Sequence, residues 1–230
     1  MACVTIRRLL AAALCLAVLA LPAEAGAASD AKDSVFAPGL PDAGFSTLAI
    51  VPSGFQESVA FSGLNDPTAV RFAADGRVFV AEQGGLIKVF DSLSDPTASI
   101  YADISTNVHQ FWDRGMLGMT LDPQFTTGRP FIYVLYTYDA AIGGTAGRWG
   151  DACPTPPGPQ ADGCVVSGRL SKISAGGTEQ VLLNDWCQQY PSHSVGSLAF
   201  GADGALYVSG GDGASFDFAD YGTSKDIVAP

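Results

Sequence analysis

A recurring unit limits what this chain can fold into. Residues 68–82 run from Thr68 to Phe72, turn at Asp75-Gly76 and return through Val78-Phe79-Val80. Residues 196–210 repeat the plan, with Leu198 to Phe200, a turn at Asp203-Gly204 and a return through Leu206-Tyr207-Val208. Each copy reads as a strand, a tight Asp-Gly turn and a returning strand. A looser copy leads from Met116 through Asp122 to Phe131–Tyr136. By their numbers the three turn aspartates, Asp75, Asp122 and Asp203, lie 47 and 81 residues apart. The wider gap holds a Cys- and Pro-rich insertion and two further apolar runs, 165–173 and 180–183.

No segment of the mature region keeps a helical period, so the chain reads as all-β. Antiparallel hairpins repeating every 40 to 50 residues or so are the mark of propeller blades. The returning strands are continuously apolar, as expected of a blade buried between neighbours. A β-sandwich would give the same hairpins, and the repeat alone leaves that alternative open.

Residues 1–25 follow the order of a secretory signal peptide: Arg7-Arg8, an apolar run from Leu9 to Leu21, then Ala23-Glu24-Ala25. At 13 residues, counted from 9 through 21, the run is too short for a membrane-spanning helix. The expected mature protein is therefore exported, to the periplasm or beyond, without a membrane anchor. It consists of an N-terminal segment, 26–45, and a β-domain, 46–230. Cleavage would remove two arginines and one glutamate, moving the net charge from −11 to −12. Such an acidic surface excludes nucleic acid and anionic membrane as natural partners.

Three cysteines follow the leader. Cys153 and Cys164 bracket a Pro-rich stretch that reads as a surface loop stapled by a disulfide, and Cys187 is left free or paired with a residue beyond this chain.

Three stretches go further than a generic propeller. They are Pro67–Arg71 with Phe79–Asp91; Asp113-Arg114-Gly115-Met116-Leu117-Gly118 with Leu121–Phe125 and Tyr133–Thr137; and His193-Ser194-Val195-Gly196 leading to Gly211-Asp212-Gly213. Together, in order and spacing over residues 50 to 222, they resemble the glucose/sorbosone dehydrogenase family. The resemblance implies a six-bladed quinoprotein propeller that oxidises a sugar or polyol with pyrroloquinoline quinone (PQQ), held by calcium, and passes electrons to an unidentified acceptor. On the matching positions His193 takes the place of the catalytic base. Asp113 and Arg114 fall near sugar and cofactor, Gly196 beside the plane of the quinone, and Asp217 and Phe218 in the sugar pocket. Histidine suits a step that removes a hydroxyl proton near neutral pH.

Ser192 and Ser197 stand where glucose-oxidising members carry an acid and an arginine, which leaves the sugar open. Family members continue through blades that bind quinone and calcium. This chain is accordingly expected to be an incomplete propeller of about three to four blades, inactive alone and with no metal site of its own. His109 reads as structural. Asp212, Asp217 and Asp220 do not have EF-hand spacing and read as turn carboxylates. Trp112, Trp149 and Trp186 could stack on sugar or pack between blades. A secreted propeller that binds glycan or protein without chemistry is the rival, and a calcium-dependent lactonase a third reading.

Overall fold

The computed structural model describes residues 52–153 and 164–213. The proposed leader, the segment 26–45, Asp217, Phe218 and Asp220 lie outside the described residues. Residues 52–58 belong to a separate compact unit, in which the Phe55 N–H donates to Pro52 O at 3.0 Å. All the strands lie in the other unit, which contains Val59 onward.

Among the described residues ten strands run in order: β1 (Pro67–Phe72), β2 (Val78–Glu82), β3 (Leu86–Phe90), β4 (Ser99–Asp103), β5 (Met116–Leu121), β6 (Ile132–Tyr138), β7 (Val166–Ile173), β8 (Glu179–Gln188), β9 (Val195–Phe200) and β10 (Leu206–Gly210). One 3-10 turn, Ser105–Asn107, is the only helical element among the described residues. The strands form two four-stranded antiparallel meanders, β1-β2-β3-β4 and β5-β6-β7-β8, and a two-stranded sheet, β9-β10. The fold is all-β, and the described residues form two blades and the first two strands of a third. The second blade is long because the Cys- and Pro-rich insertion lies between β6 and β7.

The sequence repeat survives at atomic detail. In the hairpin β1-β2, Ala73 N–H donates to Arg77 O and Gly76 N–H to Ala73 O; in β9-β10, Gly201 N–H donates to Ala205 O and Gly204 N–H to Gly201 O. These are three-residue loops whose last residue has positive φ, 94° at Gly76 and 79° at Gly204, where glycine carries no steric penalty. In all three copies the aspartate Oδ1 accepts from the backbone N–H two residues on: Asp75 from Arg77, Asp122 from Gln124 and Asp203 from Ala205. A short acceptor that reaches its own turn is why aspartate recurs there.

Burial explains the continuous apolar runs. Every residue of β2 and of β6 is buried. On β6, Ile132, Val134, Tyr136 and Tyr138 face the first blade together with Phe79, Ala81 and Ile87. Tyr133 and Leu135 point the other way, toward Val195 and Leu198 of the third sheet. The far face of the first blade, Val78, Val80 and Phe90, is covered by Phe61 and Leu64, with the Phe61 and Phe90 rings stacked at 3.8 Å. Strands with period-2 side chains bury both faces only between layers, which is the propeller arrangement and excludes a two-layer sandwich with one solvated face per sheet.

The innermost strands meet in sequence, β5 lying against both β1 and β9. Thr68 Oγ1 donates to Met116 O at 2.6 Å, and Met116 N–H donates to Gln83 O at 2.8 Å. Toward β9 the contact is backbone on backbone: a Cβ on Gly118 would lie 3.0 Å from Gly196 O.

Cys153 and Cys164 are disulfide-bonded, with Cα atoms 5.3 Å apart at a sequence separation of 11. Cys187 is also disulfide-bonded, so it is not a free thiol, and its partner lies outside the described residues. Replacing Cys153 and Cys164 together by Ser should lower the unfolding free energy by about 3 kcal/mol through the unfolded chain. Urea unfolding under oxidising conditions checks this, and an unchanged midpoint would show that the staple contributes nothing.

Candidate functional site

The loop leading into β5 and the loop leading into β9 come together at one end of the sheets. Asp113 N–H donates to Pro191 O at 3.2 Å. The segment after β10 joins them: Gly213 N–H donates to His193 O at 2.9 Å, Gly211 N–H to Ser194 O at 2.6 Å, and Tyr190 N–H to Gly213 O at 3.1 Å. The segments that carry Asp113 and His193, far apart in sequence, are thereby joined on one rim.

Arg114 ties the two loops from beneath. Its side chain is wholly buried. Nη2 donates to Gln188 O at 2.9 Å and to Tyr190 O at 2.8 Å. Nη1 donates to His109 Nδ1 at 3.3 Å and lies 3.1 Å from Cys164 Sγ. Burial pulls its pKa down to about 9, with Asp139 opposing, so the group stays charged at pH 7. Both Nη atoms point to protein groups, while the buried Nε has no hydrogen-bond partner among the described residues. Through the two carbonyls it ties the loop before β5 to the segment before β9.

His109 is buried as well, and burial lowers its pKa. Its Nε2 is 3.0 Å from Ala152 O. A carbonyl only accepts, so the proton sits on Nε2 and Nδ1 takes the Arg114 bond. His109, Cys153 and Cys164 are the one grouping with metal-ligand geometry among the described residues. The two sulfurs are bonded to each other and a guanidinium stands beside them, so these residues form a structural box and not a metal centre.

His193 has φ 51°, unusual for a residue with a side chain. Its ring, about a third exposed, places Nδ1 3.1 Å from Asp212 Oδ1. A carboxylate only accepts, so Nδ1 carries the proton and the lone pair of the neutral ring lies on Nε2. Asp212 is the hydrogen-bond partner of His193 that sequence reasoning misses, since by spacing it reads as a turn carboxylate. The available signal was its place in Gly211-Asp212-Gly213, directly after the returning strand.

Asp113 is exposed on the same rim. Gly196 lies in β9, where a Cβ would stand 2.9 Å from Ser209 O and closer still to its hydroxyl. The clearance that glycine gives there is taken by the neighbouring strand and not by open space for a planar ligand.

Known proteins share both the sequence pattern and the fold. The sequence profile of the Glucose / Sorbosone dehydrogenase family matches residues 64–226. A solved structure of an oxidoreductase assigned as a glucose dehydrogenase, from Thermus thermophilus, is similar at 27% identity and TM-score 0.49, over 65% of this chain and 38% of that one. The PQQ-bound form of aldose sugar dehydrogenase from Streptomyces coelicolor is similar at 16% identity and TM-score 0.50, over 69% and 41%. This chain spans about two fifths of the length of either structure. Because the profile match covers more than half of it, the chain belongs to the glucose/sorbosone dehydrogenase family.

The buried histidine sets a pH dependence. Unfolded, His109 takes up a proton near pH 6.5; folded, it does so only at lower pH. In that window the unfolded state holds more protons, so stability is full above about pH 6.5 and is lost as pH falls toward the folded pKa. Urea midpoints should fall between pH 7 and pH 5 in wild type and fall less in His109→Gln. Equal pH slopes would contradict this.

Proposed function

We propose that this member of a sugar-dehydrogenase family carries the substrate-facing base of a PQQ-dependent dehydrogenase, His193 removing the proton of a sugar or polyol hydroxyl. The observation that supports the reading most strongly is the His193–Asp212 pair on the rim that Asp113 shares.

Asp212 holds the ring in the tautomer that leaves Nε2 as acceptor, and its charge favours the imidazolium that forms when the hydroxyl proton arrives. Asp113, a carboxylate on the same rim, is placed to accept from a neighbouring hydroxyl and so turn the sugar. When bound, a quinone accepts the hydrogen on the same carbon together with its electron pair, and the alcohol becomes a carbonyl.

The described residues fit the substrate side of such a cofactor better than its carboxylates. PQQ is a polyanion, the rim carries Asp66, Asp113 and Asp212, and the one arginine beneath it is spent on carbonyls. Cations and calcium for the cofactor would come from segments outside the described residues. Export belongs to the same reading, supported by the pattern of residues 1–25 and by a disulfide, which persists in oxidising compartments. No helix among the described residues is long and apolar enough to cross a membrane.

The test is dye-linked sugar oxidation by the full-length protein reconstituted with PQQ and calcium. His193→Ala should lower kcat by about 10² to 10⁴, and Asp212→Asn should lower it less. Wild-type turnover in His193→Ala would remove the assignment and favour a propeller that only binds.

A further inference from the structure

On the face of β6 that meets the third sheet, Tyr133 and Leu135 pack against Val195 and Leu198. Side chains two apart on a strand share a face, so the next position in that row is Thr137, which is fully buried. A valine would have nearly the same shape there and no hydroxyl to desolvate. A buried hydroxyl is tolerated only where it is bonded, and this one is bonded to two segments far away in sequence. Thr137 Oγ1 lies 2.9 Å from Ser194 Oγ, 57 residues on, and accepts from Gly115 N–H at 3.4 Å. The Thr137 backbone adds two more bonds: its N–H donates to Gly115 O at 3.0 Å, and its carbonyl accepts from His109 N–H at 2.8 Å. Gly168, opposite Thr137 on β7, lets β9 come this close, since a Cβ there would lie 2.8 Å from Val195 Cγ1.

Both segments that Thr137 reaches carry rim residues. Gly115 stands two residues after Asp113, and Ser194 directly follows His193. His193 has φ 51°, a conformation that persists in a residue with a side chain only where the surroundings enforce it. Ser194 is where that enforcement is applied. It is buried, its carbonyl accepts from Gly211 N–H, and its hydroxyl meets Thr137. The residue after Gly211 is Asp212, whose Oδ1 bonds His193 Nδ1 at 3.1 Å. Ser194 is therefore fixed on one side to the core strand β6 and on the other to the segment that carries the carboxylate.

We infer that Thr137 is a positioning residue for His193: through Ser194 it fixes the backbone that holds the imidazole against Asp212, and with it the tautomer that leaves Nε2 as acceptor. Which ring nitrogen carries the proton is set by the bond that the other makes. A ring that drifts from Asp212 lets the proton move to Nε2, where a base needs its lone pair. This role rests on the reading of His193 as the base.

The test compares wild type, Thr137→Val and Thr137→Ser as full-length proteins reconstituted with PQQ and calcium. The tautomer of His193 is read from its ring nitrogen shifts by 15N NMR at about pH 8.5, above the ordinary imidazole range near 6.5, with His193→Ala identifying the signals by their loss. Dye-linked oxidation of an aldose gives kcat and KM separately. Wild type and Thr137→Ser should carry the proton mainly on Nδ1. Thr137→Val should give a mixture of tautomers, with kcat lowered about tenfold and KM changed less than about twofold. Ser194→Ala breaks the same bond from the other side and leaves Thr137 its bond to Gly115, so it should reproduce both changes even where Thr137→Val does not fold. An unchanged tautomer and kcat in Thr137→Val or Ser194→Ala, with only the urea midpoint lowered, would overturn the role and make Thr137 a core hydroxyl and no more. The nitrogen shifts separate this failure from that of the base. Turnover lost in His193→Ala beside an unchanged tautomer in Thr137→Val keeps the base and removes Thr137; a tautomer change beside full turnover in His193→Ala removes the base.

Discussion

The site depends on one buried cation. Among the described residues the Arg114 guanidinium has no carboxylate in hydrogen-bond contact; it is held by two backbone carbonyls, an imidazole nitrogen and a disulfide sulfur. Taking a charge out of water costs several kcal/mol unless its donors are satisfied, and the lowered pKa records that cost. What the cost sustains is a tie between segments 74 and 76 residues apart in sequence. Lysine could not make it, because a single ammonium cannot point along two arms of a planar fork. The carbonyls of Gln188 and Tyr190 that Arg114 fixes lie directly before Pro191, Ser192 and His193.

Sheet packing sets where those loops can meet. Because β2 and β6 bury both faces, each blade has to lie flat against the next, and the innermost strands approach closely. Gly118 makes that approach possible, since a Cβ there would lie 3.0 Å from Gly196 O, whereas the space beside Gly196 is taken by Ser209 of β10. The loops preceding β5 and β9 then emerge side by side, and Asp113 reaches Pro191 without any adjustment of the sheets. The rim is a consequence of blade stacking, and its chemistry is carried by loop residues on a rigid base.

Much of the fold is legible in the sequence because the repeat has a local cause. An aspartate bonded to its own turn followed by a glycine with positive φ can be read from two letters, and the same Oδ1 bond occurs at Asp75, Asp122 and Asp203. The motifs around Asp113 and His193 also mark those two residues, and the structure brings their segments together. Motif position does not show what Arg114 and Gly196 touch. Whether an arginine faces a ligand or two distant carbonyls is a tertiary fact with no local signal. Whether a glycine clears space for a ligand or for the adjacent strand is equally invisible in one chain. Asp212 escapes notice because metal-ligand spacing says nothing about a histidine partner.

The most direct measurement is amide hydrogen exchange on Arg114→Lys, which keeps the charge and removes the fork. With the tie lost, the amides of Asp113, Tyr190 and Gly213 should exchange about 10- to 100-fold faster than in wild type, while those of β2 and β6 change far less, since loops can open locally without the core. Equal acceleration everywhere, or none at those three amides, would contradict the claim that Arg114 holds the rim on which His193 sits.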